Sequence, residues 1–300
     1  MNAKWPIWAL TMFLATVADA SASSQARLRG PYLGQTPPGD TPQVFAAGIV
    51  SMEGSREYCL ALTPDGREIY FNRAGVGVMA CILTESGWTQ PRVAEFSGRY
   101  PGGEVHVTPD GRHLLMNRYA GLAEGETGGI WSLPRANGGW GDARFLIPQG
   151  MRATSTRDGA IYATDIAGYR IEGRDGGIIA RWIRRDEEYR RDVDPGGGVN
   201  TPAVEAHPFI APDERYLIFN SPRAGGKGEG DLYISFRRAD GSWGGAVNLE
   251  PLNSAAADWC ATVSPDGRYL FFTRNSADGG DIYWVSAGII ERFRETSLRQ

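Results

Sequence analysis

The sequence predicts an all-β fold, a five-bladed β-propeller with six blades as the alternative count, on three observations. One hairpin signature occurs five times: Thr63-Pro64-Asp65-Gly66-Arg67, Thr108-Pro109-Asp110-Gly111, Thr156-Arg157-Asp158-Gly159, Ala211-Pro212-Asp213-Glu214-Arg215 and Ser264-Pro265-Asp266-Gly267-Arg268. Its aspartates are spaced by 45, 48, 55 and 53 residues, which suits one turn per blade and leaves no room for a hidden sixth hairpin between copies. The composition, with 40 glycines, 18 prolines and 42% hydrophobic residues, fits many short strands around an ample core rather than disorder.

Along the chain, Lys4 precedes an apolar run from Trp5 to Ala18, and Ala18-Asp19-Ala20 or Ala20-Ser21-Ala22 supplies a small-x-small cleavage pattern. Residues 1–22 are therefore expected to be a secretory signal, too short for a transmembrane helix, which needs about 20 apolar residues. The product is expected to be periplasmic or secreted, without stable membrane insertion. Residues 23–41, rich in Gly, Pro, Ser and Gln, read as a flexible leader and surface arm. Residues 42–300 form a single propeller domain.

The fourth copy gives the plan of a four-stranded antiparallel blade. A strand at Ala206 to Ile210 turns at Pro212-Asp213 into a second at Tyr216 to Asn220. Proline pre-sets φ, aspartate bonds the backbone two residues on, and glycine tolerates a left-handed exit. A third strand spans Asp231 to Arg237, and Asp240-Gly241-Ser242-Trp243 turns into a fourth, Gly245 to Leu249. Trp88, Trp140 and Trp243 recur at that turn and are expected to pack between blades. The fifth hairpin has its third strand at Asp281 to Val285 but no fourth. Pro42 to Ala46 is assigned as the missing strand, so that the N-terminus closes the ring and hides an edge. A helical turn is expected between Gly288 and Arg294.

A net charge of −4 and a pI near 5.5, without a basic block, argue against nucleic acid or an anionic membrane as partner. The three cysteines, Cys59, Cys81 and Cys260, are odd in number and lack paired short spacings. Cys59 and Cys260 share one repeat position, so they read as homologous buried wall residues rather than partners.

Candidate functional residues emerge by counting back from each turn aspartate. Eight residues before it stand Glu57, Glu205 and Asp258; six before it, Cys59, Glu104, Arg152, His207 and Cys260; four before it, His106. Strand side chains alternate between faces, so these even positions predict a polar stripe on each inner strand. The odd positions, including Tyr58 and Trp259, would pack into the next blade. Glu57, Glu104, His106, Arg152, Glu205, His207 and Asp258 are thus the ligand-binding candidates, gathered at one mouth of the channel. A structural role competes, because Arg73, Arg118 and Arg274 stand near cross-strand register with Glu57, Glu104 and Asp258. Glu205 lacks such a mate, since Ser221 fills that position; His106, Arg152 and His207 lack one too.

The spaced Ser/Thr-Pro-Asp-Gly-Arg copies, the following Tyr-Leu-Phe-Phe and the Gly-Asp-Ile/Leu-Tyr segments resemble the WD-like repeat of TolB-like propellers, over about residues 42 to 290. TolB itself is similar to a six-bladed ring with an added domain, and the third copy here departs from the pattern, with Arg157 in place of proline. The resemblance implies either a non-catalytic binding or scaffolding module for a glycan, peptide or protein, or a carbohydrate-active enzyme such as an oligogalacturonate lyase. In the enzyme reading Glu104 or Glu205 would serve as general acid or base. Alternatively His106 and His207, with a carboxylate, would hold a divalent metal while Arg152 neutralises a uronate. Three histidines in all, with His113 beyond the turn, argue against a three-histidine site. No phosphate loop, nucleophile elbow or Cys-His pair is present, so no residue is assigned as catalytic and no cofactor is expected.

Overall fold

The Pro-Asp turns form as their chemistry dictates. In the first, the Thr63 carbonyl accepts the Gly66 N–H at 2.8 Å, and Gly66 exits at φ 67°. The Asp65 carboxylate accepts the Thr63 hydroxyl at 2.6 Å and the Arg67 N–H at 3.0 Å. Copies two and five repeat this at Asp110 and Asp266. In copy four Glu214 takes the left-handed position without being glycine, at φ 56°. Its carboxylate compensates by binding Tyr162, Arg181 and Arg237, which ties blade three to blade four.

The computed structural model describes residues 28–167, 177–196, 198–277 and 279–297. The expected signal, residues 1–22, lies outside the described residues. Strand β1 (Gln43–Val44) stands apart at the start. Blade one holds β2 (Glu57–Leu62), β3 (Glu68–Arg73), β4 (Gly77–Thr84) and β5 (Gly87–Trp88), with β6 (Arg92–Val93) also on β4. Blade two holds β7 (Gly103–Val107), β8 (His113–Arg118), β9 (Gly129–Ala136) and β10 (Gly139–Trp140), with β11 (Arg144–Pro148) also on β9. Blade three is β12 (Gly150–Ser155), β13 (Ile161–Asp165), β14 (Ile178–Arg185) and β15 (Glu188–Arg191). Blade four is β16 (Ala206–Ile210), β17 (Tyr216–Ser221), β18 (Asp231–Phe236) and β19 (Val247–Asn248). Blade five is β20 (Asp258–Val263), β21 (Tyr269–Ser276) and β22 (Gly279–Ser286), completed by β1.

The ring is a five-bladed antiparallel propeller, which disposes of the six-bladed alternative. Strands β2, β7, β12, β16 and β20 pack side by side about its axis. Closure is by β1 on β22, with Gln43 opposite Trp284 and Val44 opposite Tyr283. Phe45 then enters the seam, fully buried, with its ring 5.1 Å from those of Phe271 and Trp284. Between blades, Trp140 donates its indole N–H to the Tyr70 hydroxyl at 2.8 Å, and Trp243 meets Tyr162 edge to face. Trp88 instead donates to the Gly30 carbonyl.

That bond bears on the segment read as a flexible arm. From Leu28 onward the chain is anchored: Leu28 and Leu33 are buried and Tyr32 packs on Tyr269 and Trp284. The C-terminal helix, α1 (Ile289–Ser297), is longer than the expected single turn, because Ile289 and Ile290 are buried against the core of blades four and five. No helix among the described residues is long and apolar enough to cross a membrane.

If Phe45 holds the seam, Phe45→Ala loses about 3–5 kcal/mol in urea unfolding followed by tryptophan fluorescence, as expected for an emptied aromatic site.

Candidate functional site

All five inner strands bulge at one repeat position. Pairing with the second strand shifts register after Tyr58, Gly103, Met151, Ala206 and Trp259. Within each bulge the residue six before the turn aspartate is left-handed: Cys59 (φ 51°), Glu104 (52°), Arg152 (38°), His207 (49°) and Cys260 (54°). None is glycine, so each costs about 1–2 kcal/mol of Cβ strain. Neighbouring blades supply part of the compensation. The N–H of Cys59 donates to Thr273 Oγ1 (3.1 Å), that of Glu104 to Asn72 Oδ1 (2.8 Å), and that of His207 to Thr164 Oγ1 (2.9 Å). The N–H of Arg152 donates to the Glu104 carboxylate at 2.9 Å.

A bulge interrupts the alternation that would set the even positions on one continuous face. The candidate residues consequently fall into three groups. Glu57, Glu205 and Asp258 are wholly buried before the bulge, in ion pairs with Arg73 (2.6 Å), Arg223 (2.8 Å) and Arg274 (2.7 Å). Each carboxylate also accepts backbone and hydroxyl hydrogens from the loop entering its blade: Met52 and Ser55, Thr201, and Ser254. Arg223, two residues beyond Ser221, thus supplies the partner that Glu205 lacks in the repeat pattern. These acids anchor loops.

The second group meets in the channel. Glu104 lies 3.6 Å from His207 Nε2, and its other oxygen accepts from Asn117 Nδ2 (2.9 Å) and the Arg152 N–H. His207 Nδ1 is 2.8 Å from Asn220 Oδ1. Burial alone would raise the Glu104 pKa, but His207, the Arg152 charge and the Arg152 N–H outweigh it and hold the carboxyl below its usual range. The expected mate Arg118 turns instead to Glu126 and the face of Trp131.

Arg152 crosses the channel as a bolt. From blade three its guanidinium donates to the Val105 carbonyl of blade two (2.9 Å) and to Ala261 O (3.3 Å) and Thr262 Oγ1 (2.7 Å) of blade five. Burial lowers its pKa to about 10, opposed by Glu104, so it keeps its charge at neutral pH. His106 lies apart from Glu104 and His207 in its bonding: Nε2 accepts the Ser155 N–H at 3.2 Å, and burial together with the Arg152 charge lowers its pKa to about 3. The ring is therefore neutral, with its proton on Nδ1. Among the described residues no group of three His, Cys, Asp or Glu side chains could hold a metal ion.

The reading of Cys59 and Cys260 as separate wall residues is corrected: they form a disulfide, with Cα atoms 5.2 Å apart across the seam of blades one and five. The equal repeat position that suggested homologous walls is what sets the two side chains face to face, because first and last blades are neighbours in a closed ring. Cys81 is free and buried. The same seam holds a pair that alternation had assigned to blade packing. Tyr58 stacks on Trp259 with centroids 5.5 Å apart, Arg56 lies over both rings at 5.9 and 5.7 Å, and the His207 ring is 4.8 Å from Trp259. Tyr58 and Trp259 directly precede the two cysteines, so a pairing of the thiols in the sequence would have brought the rings together too. Burial, and behind it the Glu104 charge, raises the phenol pKa values of Tyr58 and Tyr119, the latter to about 12.

These features define a five-bladed propeller whose channel is bridged by Arg152 and holds aromatic, imidazole and carboxylate groups beside it. No family model matches the chain, and no curated protein does. Among solved structures it is similar to a GH43_12 retrieved from the capybara gut metagenome, at 15% identity over 84% of this chain and 54% of that one, with a TM-score of 0.52. A thermostable family-43 glycoside hydrolase gives 14% identity, 83% and 91% coverage and a TM-score of 0.52. TolB from Acinetobacter baumannii gives 15% identity, 77% and 54% coverage and a TM-score of 0.47. The chain spans about half the length of the TolB and GH43_12 chains it matches. These likenesses are of fold alone.

Two outcomes test this geometry. Breaking the disulfide with Cys59→Ser and Cys260→Ser costs roughly 2–5 kcal/mol, read as a lower urea midpoint. Glu104→Gln weakens the acceptor shared by Asn117 and the Arg152 N–H and removes the charge facing His207, which costs about 1–3 kcal/mol at pH 7. A depressed carboxyl stabilises above its unfolded pKa and loses that contribution as pH falls through the folded value, so the gap between Glu104→Gln and the parent narrows below about pH 4.

Proposed function

We propose that this chain is an exported binding module that takes a glycan at the mouth formed by Tyr58, Trp259, Arg56, Glu104 and His207. The observation that carries this reading is the Tyr58–Trp259 stack beside the Glu104–His207 pair. Half-buried Tyr58 carries the exposed part of this stack, with buried Trp259 behind it, and such an aromatic face suits the C–H face of a sugar ring while neighbouring polar groups fix orientation. Arg56 is exposed and lies over the platform, where its charge favours an acidic sugar over a neutral one. A signal-like N-terminus and the Cys59–Cys260 bond both fit an oxidising compartment.

The binding reading is preferred over glycoside cleavage because hydrolysis needs two working carboxylates across the scissile bond. Glu104 is one. Glu57, Glu205 and Asp258 are saturated by arginines and loop hydrogens.

The mature protein, titrated calorimetrically with uronate and neutral oligosaccharides, is expected to bind the uronate series more tightly. Tyr58→Ala weakens binding at least roughly tenfold, and exposed Arg56→Glu erases the preference for uronate. Absence of binding to either series, or equal affinity in Tyr58→Ala, overturns the proposal. Release of reducing ends or unsaturated uronate, lost in Glu104→Gln, establishes the enzyme instead.

A further inference from the structure

The opposite mouth of the channel, on the side of the Pro-Asp turns, is a separate cavity of about 290 Å³. Its apolar wall is built by Ala61, Leu62, Val107, Phe209 and Val263, the inner-strand residues just before the turns. Pro64, Pro109, Pro212 and Pro265 form the rim. The third repeat breaks that ring of prolines with Arg157.

Arg157 is exposed, and its guanidinium has neither a hydrogen bond nor an ion pair among the described residues. Its backbone N–H is held by the Pro212 carbonyl at 2.8 Å, which fixes where the side chain starts. The other charges on the cup cancel, since Arg215 pairs with Asp213 at 2.5 Å. At the cup, half-buried His106 spends Nε2 on the Ser155 N–H, leaving an Nδ1–H with no acceptor among the described residues. The cup thus combines apolar walls, a neutral donor and one uncompensated cation.

We infer that the turn-side mouth binds a small organic carboxylate whose apolar body fills the cup and whose anionic head meets Arg157. Guanidinium and carboxylate match in a planar two-point contact, which proline at this position could not offer. The volume is close to the lower end of small-molecule sites and suits one aromatic ring or a short acyl chain. Arg152 separates this cup from the mouth proposed for glycans, so the two sites are independent.

The probes are benzoate and octanoate, with benzyl alcohol as the uncharged control, titrated into the full mature protein and followed by saturation-transfer NMR and calorimetry. Saturable binding is expected for at least one carboxylate, with a dissociation constant on the order of 1 mM. Affinity falls roughly tenfold for benzyl alcohol and for Arg157→Gln, the loss of one charge-assisted pair. Arg157→Gln alters an exposed side chain and is expected to melt with the parent. Val263→Phe, which fills the cup from a half-buried position, abolishes binding. If neither carboxylate binds saturably, or if Arg157→Gln and Val263→Phe bind as the parent does, the inference is overturned.

Discussion

Five residues bearing Cβ atoms are held in left-handed backbone around one axis, and the rest of the centre depends on how that strain is met. Each inner strand bends there, at a register shift against its hairpin partner. A glycine would relieve the strain but carry no side chain. The chain instead places cysteine, glutamate, arginine, histidine and cysteine at the bends, and lends polar side chains between blades to satisfy several of the N–H groups so exposed. The bends thereby aim five functional groups inward: two become a covalent clasp and three a charge network.

That arrangement explains the division of labour among the acids. Carboxylates just outside the bend are enclosed by arginine and loop donors, and their geometry repeats in blades one, four and five. Glu104, at the bend itself, faces a histidine rather than an arginine of its own hairpin. Arg152, in a repeat that has Gly150 and Ile166 where blade one has Glu57 and Arg73, reaches across the pore to two other blades. Blade identity, not the repeat, determines what happens at the centre.

The scaffold was legible because its causes are local. Pro-Asp-Gly turns, the spacing of tryptophans and the missing fourth strand after Asp281 each follow from neighbouring residues, and Gln43–Val44 closes the ring where that deficit demanded. The site was half legible. Glu104, Arg152 and His207 were picked out by repeat position, yet a strand read as regular cannot reveal a bulge, because register is set by the partner strand. Hence the cysteine pair read as strangers, while Tyr58 and Trp259 do pack between blades as read, on each other across the seam. Arg223 escaped notice because it stands in a loop two residues past the position the repeat marks, and only three-dimensional folding of that loop returns it to Glu205.

The clasp at the seam joins residues 201 positions apart, so it can be made only when the final blade exists. During synthesis from the amino end, Cys59 has its partner still unmade, and Cys81 is the sole other thiol then available. In the finished fold Cys81 is buried in the third strand of the first blade, out of reach of exchange with that clasp. Burial of the third thiol is therefore also a safeguard on which sulfurs stay joined.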